Sequence, residues 1–342
     1  MKVAVLHNDV SGDSTLDEQD NLIQTQAVSH ALRDLGHDTV SLPFTSHLKQ
    51  NLTRLRQIHP DVVFNLVESL EGQGRFIHLA PAMLEALGLP YTGASATAMY
   101  GTSNKLVAKM ILRDHGIPTP PWLDRKAWLA PGLVPEGPYI IKSVWEHASL
   151  GLDEDSVVHP ATAEDLRGAL ARRLPRLGGT GFAEKFIEGR EFNLSVLASD
   201  NGGEVLPPAE ISFDAYPEDK IRVVGYRAKW QADTFEFHHT PRRFEFPPDD
   251  QPLLRRLTEL ALQCWDLFRL RGYARVDFRV DRAGRPWVLE INANPCLSPD
   301  AGFVAACRQA GLDYNQVVYR ILRDAGRAED RAHGPGTNES NR

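Results

Sequence analysis

Two carboxylates, an amide and a guanidinium fall within one stretch, residues 273–298, YARVDFRVDRAGRPWVLEINANPCLS. Residues 273–280 alternate strictly. Ala274, Val276, Phe278 and Val280 take one face; Tyr273, Arg275, Asp277 and Arg279 take the other. Asp281-Arg282-Ala283-Gly284 is turn chemistry. The second strand, 286–292, sets Trp287, Leu289 and Ile291 against Val288, Glu290 and Asn292. A hairpin register that buries both apolar sets together brings Asp277, Glu290 and Asn292 onto one face beside Arg275. Paired carboxylates repel, so a cation belongs between them. Oxygen-only ligands, two of them anionic, suit Mg²⁺, with Mn²⁺ as a substitute, rather than zinc. Removing one carboxylate should then leave the stability of the unliganded chain unchanged or slightly raised. The competing reading is the solvated outer face of an edge hairpin. Against it, Asn292-Ala293-Asn294-Pro295 carries the polar face on into a loop.

Three lysines stand on other elements. Lys105 opens a helix, and Lys142 and Lys229 sit in strands. Point charges on several elements can neutralise a triphosphate without a glycine-rich loop, although each taken alone reads as a surface lysine. Lys142 lies in the apolar strand 139–144, where an ammonium is costly unless it meets a partner or snorkels from an edge. The strand Glu184-Lys185-Phe186-Ile187 can offer an N–H and a C=O to an adenine, and Glu191 can accept from ribose hydroxyls. The alternative is an ordinary amphipathic strand before a turn at Gly189.

These residues need a scaffold, and the rest of the chain spells one. Its 342 residues suffice for two or three domains. A hydrophobic share of 42% and a charged share of 24% are ordinary for a globular chain. The net charge of −7 argues against nucleic-acid binding. The three cysteines, Cys264, Cys296 and Cys307, form neither a disulfide framework nor a metal knuckle and fit a reducing compartment. The N-terminus reads as a strand and not a signal peptide, and no run approaches a membrane span. A cytoplasmic chain with no membrane partner is expected.

Residues 1–100 alternate β and α: strands at 3–6, 39–42 and 62–67, and helices at 47–58 and 79–87. A further helix carries Leu22, Ala27, Val28, Ala31, Leu32 and Leu35 on its apolar stripe. That is the pattern of an open parallel α/β sheet, with ligand loops at the carboxyl ends of its strands, 7–20 and 68–75. Neither a dinucleotide fingerprint nor a P-loop occurs. Ser103-Asn104-Lys105 caps a helix with Leu106, Val107, Met110 and Ile111 on its buried stripe. Residues 118–138 read as a connector. Strands follow at 139–144, 156–158 and 181–187, around a helix at 162–174. A β-meander then runs through 191–198, 204–206 and 223–230. A helix at 253–270, the carboxylate hairpin and helices at 301–311 and 314–325 complete the chain. The expected organisation is an N-terminal open parallel α/β domain (1–100), a small central α+β domain (101–188), a C-terminal mixed-sheet domain (189–325) and a disordered tail (326–342).

Arg275-Val276-Asp277 and Leu289-Glu290-Ile291-Asn292, followed by Asn294-Pro295, resemble the metal-binding end of ATP-grasp ligases. The D-alanine–D-alanine ligases are the nearest relatives, and the likeness spans about residues 3–318. It implies an α/β ATP-grasp fold, ATP and Mg²⁺ as cofactors, small-molecule carboxylate and amine substrates, and a homodimer formed through the N-terminal domain. Lys105 and Lys142 match the family's phosphate lysines. Residues 145–151, with Ser149, match the serine-rich loop over the phosphates. Glu184, Lys185 and Ile187 match the adenine hinge, and Glu191 the ribose-binding acid. Lys229-Trp230 matches a lysine–aromatic pair, and Arg275 the arginine that stabilises the oxyanion. Asp277, Glu290 and Asn292 match the magnesium ligands. Ser298 falls near the serine that holds the second substrate's carboxylate. The departures concern substrate. NLVESLEGQGR replaces a histidine-glycine and glycine-glutamate-aspartate-glycine signature, Cys296-Leu297 replaces glycine-methionine, and Asp17, Glu18 and Asp20 are the candidates for receiving the first substrate's ammonium.

The expected function is therefore an ATP-dependent, ADP-forming ligase that joins an amino acid or similar carboxylate to an amino acid through an acyl phosphate. A true D-alanine–D-alanine ligase is the alternative. A nucleotide-binding regulatory module would be expected to have lost a metal ligand or Arg275, and a dinucleotide-dependent oxidoreductase lacks its glycine fingerprint.

Overall fold

The computed structural model describes residues 1–10, 16–123, 137–145 and 151–332. Three sheets organise them.

The first sheet holds β1 (Lys2–Asn8), β2 (Asp38–Phe44) and β3 (Val62–Asn65) in the order β2-β1-β3, every pair parallel. Val3, Ala4, Val5 and Leu6 are fully buried, as the continuous apolar run of a strand covered on both faces requires. The crossover helices are α1 (Leu16–Asp34) and α2 (Leu48–Ile58). Three more helices, α3 (Leu79–Ala86), α4 (Ala96–Ser103) and α5 (Lys105–Asp114), lead out of this region. Asn104 caps α5 as its sequence implies, accepting from the Leu106 and Val107 N–H groups at 3.1 Å each.

The second sheet has the order β4-β7-β5-β6, from β4 (Trp122–Leu123), β5 (Tyr139–Ser143), β6 (Val157–Val158) and β7 (Gly181–Lys185), with α6 (Ala163–Arg173) packed on it. The third has the path β11-β10-β8-β12-β13, with β9 paired to β8. Its strands are β8 (Gly189–Ser199), β9 (Gly202–Val205), β10 (Ala209–Ile211), β11 (Arg242–Arg243), β12 (Tyr273–Asp281) and β13 (Pro286–Asn292). Between them run α7 (Tyr226–Trp230), α8 (Phe235–His238) and α9 (Gln251–Leu267), and α10 (Gly302–Gln309) and α11 (Tyr314–Ala332) follow. All pairs of this sheet are antiparallel, not mixed. Its strands join by turns and excursions rather than by the helical crossovers parallel pairing needs.

One core fills the space beneath the third sheet, where Phe192, Leu194, Val276 and Phe278 meet α9. A second ties the first sheet and α1 to α10 and α11, and to Leu197 and Tyr273 of the third sheet. That shared core fixes α1 and the end of β3 against the segment around the carboxylate hairpin.

Four expectations are corrected. Residues 223–230 are not a strand: Gly225 lies so close to Leu152 that a Cβ would fall 2.7 Å from its carbonyl, and Tyr226 donates to the same oxygen at 2.9 Å. The helix formers after it then wind into α7. The last helix continues to Ala332, beyond the expected start of the tail. The buried face of α5 is Lys105, Ala108, Lys109 and Leu112, while Met110 is exposed. In α1, Leu22 is exposed and Asn21, Gln24 and Thr25 are buried beside Val28.

Candidate active site

The hairpin register is the expected one at its functional end: Arg275 stands opposite Asn292 and Asp277 opposite Glu290. It shifts by one residue between Asp277 and Phe278. Such a bulge reverses alternation along the rest of the strand. Val288 is therefore fully buried in the core with Ile291, while Leu289 turns to the site. Simple alternation had assigned those two the other way round.

The site is a cleft of about 530 Å³ between the second and third sheets, reaching the first through Asp20 and Glu68. Lys105, Lys142, Glu184, Ile187, Glu191, Lys229, Arg275, Asp277, Glu290, Asn292 and Ser298 all line it, so nine elements or loops converge on one cleft. Lys185 does not line it: β7 alternates, Glu184 and Phe186 face the cleft, and the Lys185 N–H donates to the Pro121 carbonyl at 2.8 Å. Ser149 lies outside the described residues. Asp17 and Glu18 fall in the first turn of α1, and their side chains lie outside the described residues too.

Charges in the cleft are paired across elements. The Arg275 guanidinium forks onto Asp277 through Nε and Nη2 at 2.7 Å each, and Asn193 donates to the same carboxylate at 2.8 Å. Asp277 and Glu290 hold Arg275 more firmly protonated than an ordinary arginine, against the opposing effect of burial. The Lys105 ammonium stands 3.5 Å from Glu290. Chain cations thus meet both carboxylates of the hairpin, so removing Asp277 leaves Arg275 without its partner instead of relieving a repulsion, which corrects the expectation that the unliganded chain would be as stable or more stable without it. Asp277, Glu290 and Asn292 remain an oxygen-only donor set with two anions on one face, and that chemistry fits Mg²⁺.

Glu184 is 1% exposed and sits between two ammonium groups, Lys142 and Lys109, each at 2.6 Å. Burial opposes its ionisation, but the two lysines outweigh it and hold the carboxyl below its ordinary pKa. Lys109 also donates to Thr119 at 2.7 Å, and burial lowers its own pKa. Lys142 therefore does not snorkel: Glu184 anchors it while its head reaches the cleft. Sequence reasoning missed Lys109. The signal was the spacing of Lys105, Ala108, Lys109 and Leu112, at i, i+3, i+4 and i+7. It also missed Arg279, which is 3% exposed and bridges to Glu191 at 2.8 Å. Lys229, on α7, has its pKa lowered by burial and then by Arg275.

The end of the cleft at Asp20 and Glu68 is acidic. Asp20 accepts from Ser298 Oγ at 2.7 Å and from Cys296 Sγ at 2.8 Å. Burial, with Glu68 and Asp20 nearby, raises the Cys296 thiol far above its ordinary pKa. Gln24 donates to Glu68 from α1, and to the chain after the hairpin the same side chain presents its oxygen, accepting from the Leu297 N–H at 3.0 Å. The expected role of Ser298 as a carboxylate donor meets a hydroxyl already given to Asp20.

A parallel sheet set beside two antiparallel sheets, with paired lysines facing a carboxylate hairpin across the cleft between them, defines an ATP-grasp enzyme, an ADP-forming carboxylate–amine ligase. A family model described as "D-ala D-ala ligase C-terminus" matches residues 134–323. The D-alanine–D-alanine ligase of Moorella thermoacetica is 32% identical over 335 residues, covering 94% of this chain and 98% of that one. An uncharacterized protein, y4sG, of Sinorhizobium fredii is 31% identical over 306 residues, covering 88% of this chain and 87% of its own. The crystal structure of D-alanine–D-alanine ligase from Bacillus anthracis complexed with ATP superposes with a TM-score of 0.73 at 20% identity, covering 98% of this chain and 100% of that one. The chain belongs to the D-alanine–D-alanine ligase family. Among the described residues, no helix is long and apolar enough to cross a membrane.

Proposed function

We propose that the chain couples ATP cleavage to the joining of two amino acids, or of an amino-acid-like carboxylate to an amino acid, and that the pair is not D-alanine with itself. The observation that carries the reading is the opposition of Lys105 and Lys142 to Arg275 and the hairpin carboxylates across one cleft. In the first step a donor carboxylate oxygen attacks the γ-phosphorus, forming an acyl phosphate and releasing ADP. In the second an amine nitrogen attacks the acyl carbon, its N–C bond forms, phosphate leaves and the amine gives up a proton. Lys105 and Lys142 offset phosphate charge. The backbone around Ile187 and the Glu191 carboxylate suit an adenine and a ribose. Arg275, held rigid by Asp277, donates to the oxyanion that develops at the acyl carbon. Held by Asp277, Glu290 and Asn292, Mg²⁺ would supply further neutralisation of the phosphate oxygens. Phe186, Trp230 and Phe237 on the walls limit water, which would otherwise hydrolyse an acyl phosphate.

The acidic corner made by Asp20 and Glu68 supports a rebuilt donor pocket, suited to an ammonium. D-alanine pairing is the second reading, favoured by the names of the relatives. The deciding experiment supplies ATP, Mg²⁺ and a mixture of D- and L-amino acids, follows ADP, and identifies products by mass and chirality. A mixed product carries the proposal. D-alanyl-D-alanine as the dominant product replaces it with the second reading, and absence of ADP from every pair removes both.

A further inference from the structure

Arg279 is a buried cation on the cleft wall to which the ligation steps above give no role. It is 3% exposed. Strand β12 carries it on the same face as Arg275 and Asp277, and the register with β8 sets it opposite Glu191. Opposite charges across a strand pair attract, and Arg279 Nη2 meets Glu191 Oε2 at 2.8 Å. A buried guanidinium is costly unless its donors are met. Here Nη1 donates to the Gly189 carbonyl at 3.2 Å, and Nη2 also donates to the Arg222 carbonyl. The rings of Phe186 and Phe213 lie beside the head group, their centres 5.4 Å and 5.7 Å from Cζ.

These contacts arrive from separate parts of the fold. Gly189 and Glu191 lie at the start of β8, Phe186 follows β7, and Phe213 and Arg222 belong to segment 212–224. On either side of Arg222, Ile221 and Val223 pack with Ile140 and Val157 of the second sheet. The guanidinium is therefore clamped where the second and third sheets face each other. Its grip on Glu191 takes one carboxylate oxygen. Oε1 remains as an acceptor on a side chain that lines the cleft. An ionised carboxylate in a cleft suited to a triphosphate adds repulsion. Arg279 offsets that charge and limits the rotation of the carboxylate.

We propose that Arg279 is a positioning residue for the nucleotide: by holding Glu191 it presents the remaining carboxylate oxygen to a ribose hydroxyl, and so sets a preference for ATP over its deoxy analogues. The inference deepens the nucleotide part of the ligase reading above and rests on it. Arg279 acts through Glu191, since its own Nη1 and Nη2 are turned to Gly189, Arg222 and Glu191.

The test is calorimetric and needs no amino-acid substrate. It compares ATP, 2′-deoxy-ATP and 3′-deoxy-ATP, each with Mg²⁺, on the wild-type chain, Arg279→Gln and Arg279→Lys, with thermal unfolding as the check on the fold. On the wild type, the analogue lacking the hydroxyl that Glu191 accepts should bind on the order of 10-fold more weakly than ATP, the usual cost of losing a hydrogen bond to a charged group. Arg279→Gln should weaken ATP by a similar factor and leave that analogue within about twofold of its wild-type affinity, so that the ribose preference collapses. Arg279→Lys keeps the charge but reaches fewer acceptors, and should retain a preference of only about threefold. A merely structural role would weaken all three nucleotides alike, and that result overturns the proposal, as does a full preference in a folded Arg279→Gln. Should that variant not fold, Arg279→Lys decides: an undiminished preference overturns the proposal. A wild type that binds ATP but ignores both hydroxyls overturns this inference alone, whereas a wild type that binds no ATP overturns the nucleotide reading with it.

Discussion

Glu184→Gln should destabilise the protein strongly near neutral pH and much less in alkali. The glutamate carries the only carboxylate within salt-bridge distance of Lys109 among the described residues, and Lys109 is 1% exposed. Breaking one side of a buried ion pair typically costs about 3–5 kcal/mol, because the remaining charge is left uncompensated. Lys142 can turn its head into the cleft, but Lys109 cannot, so the penalty falls on Lys109. A ceiling follows from its proton. Taking that proton off a lysine of ordinary pKa 10.5 costs about 5 kcal/mol at pH 7 and about 2 kcal/mol at pH 9. Burial already depresses the Lys109 pKa in the native protein, and without Glu184 the largest opposing effect is gone, so the folded value drops further. The sign is then fixed. Between the folded and unfolded values the unfolded chain binds more protons, so stability of the variant rises with pH across that window. Urea unfolding at pH 7 and pH 9 is the assay. The expected deficit is about 3–5 kcal/mol at pH 7, shrinking to at most about 2 kcal/mol at pH 9. A deficit of the same size at both values, or none at pH 7, would refute the reasoning that Glu184 neutralises a buried ammonium.

The two hairpin carboxylates should behave differently. Asp277→Asn removes the partner of a half-buried, forked guanidinium and should cost about 1–3 kcal/mol in thermal stability, while Glu290→Gln, with a side chain 24% exposed and 3.5 Å from the Lys105 ammonium, should cost less, within about 1 kcal/mol of wild type. Both should reduce ADP formation by on the order of 100-fold or more, and a variant with normal Mg²⁺-dependent turnover would remove its residue from the metal set. Lys142→Ala should raise the ATP dissociation constant by at least about tenfold in calorimetry while the chain stays folded; unchanged affinity would confine Lys142 to holding Glu184. Gly189→Ala should lower the urea midpoint by the equivalent of more than about 3 kcal/mol, because its φ of +147° and a Cβ only 1.9 Å from the Val280 carbonyl leave no room; a midpoint near wild type would show that the β8–β12 edge can shift.

Local rules were enough for the framework. Continuous apolar runs gave the parallel strands, Asn104 gave the start of α5, and strict alternation with a turn gave a hairpin whose functional end pairs Asp277 with Glu290. These features depend on neighbours a few residues apart, so the chain states them directly. The same rules failed where helices and strands face the cleft. Lys105 and Lys109, with Asn21 and Gln24 in α1, occupy inward helix positions that a hydrophobic stripe would fill elsewhere. They are tolerated because Glu184, Glu290 and Glu68 arrive from distant segments to pair with them. The bulge that buries Val288 and turns out Leu289, and the contact of Gly225 with Leu152 that makes a helix of α7, also depend on partners far along the chain. Sequence alone therefore determined which residue types could do the chemistry and, Lys229 apart, which kind of element carries them. Only the tertiary structure decided which charges are already spent on one another and which are left facing the cleft, because that choice depends on distances between segments that no local pattern encodes.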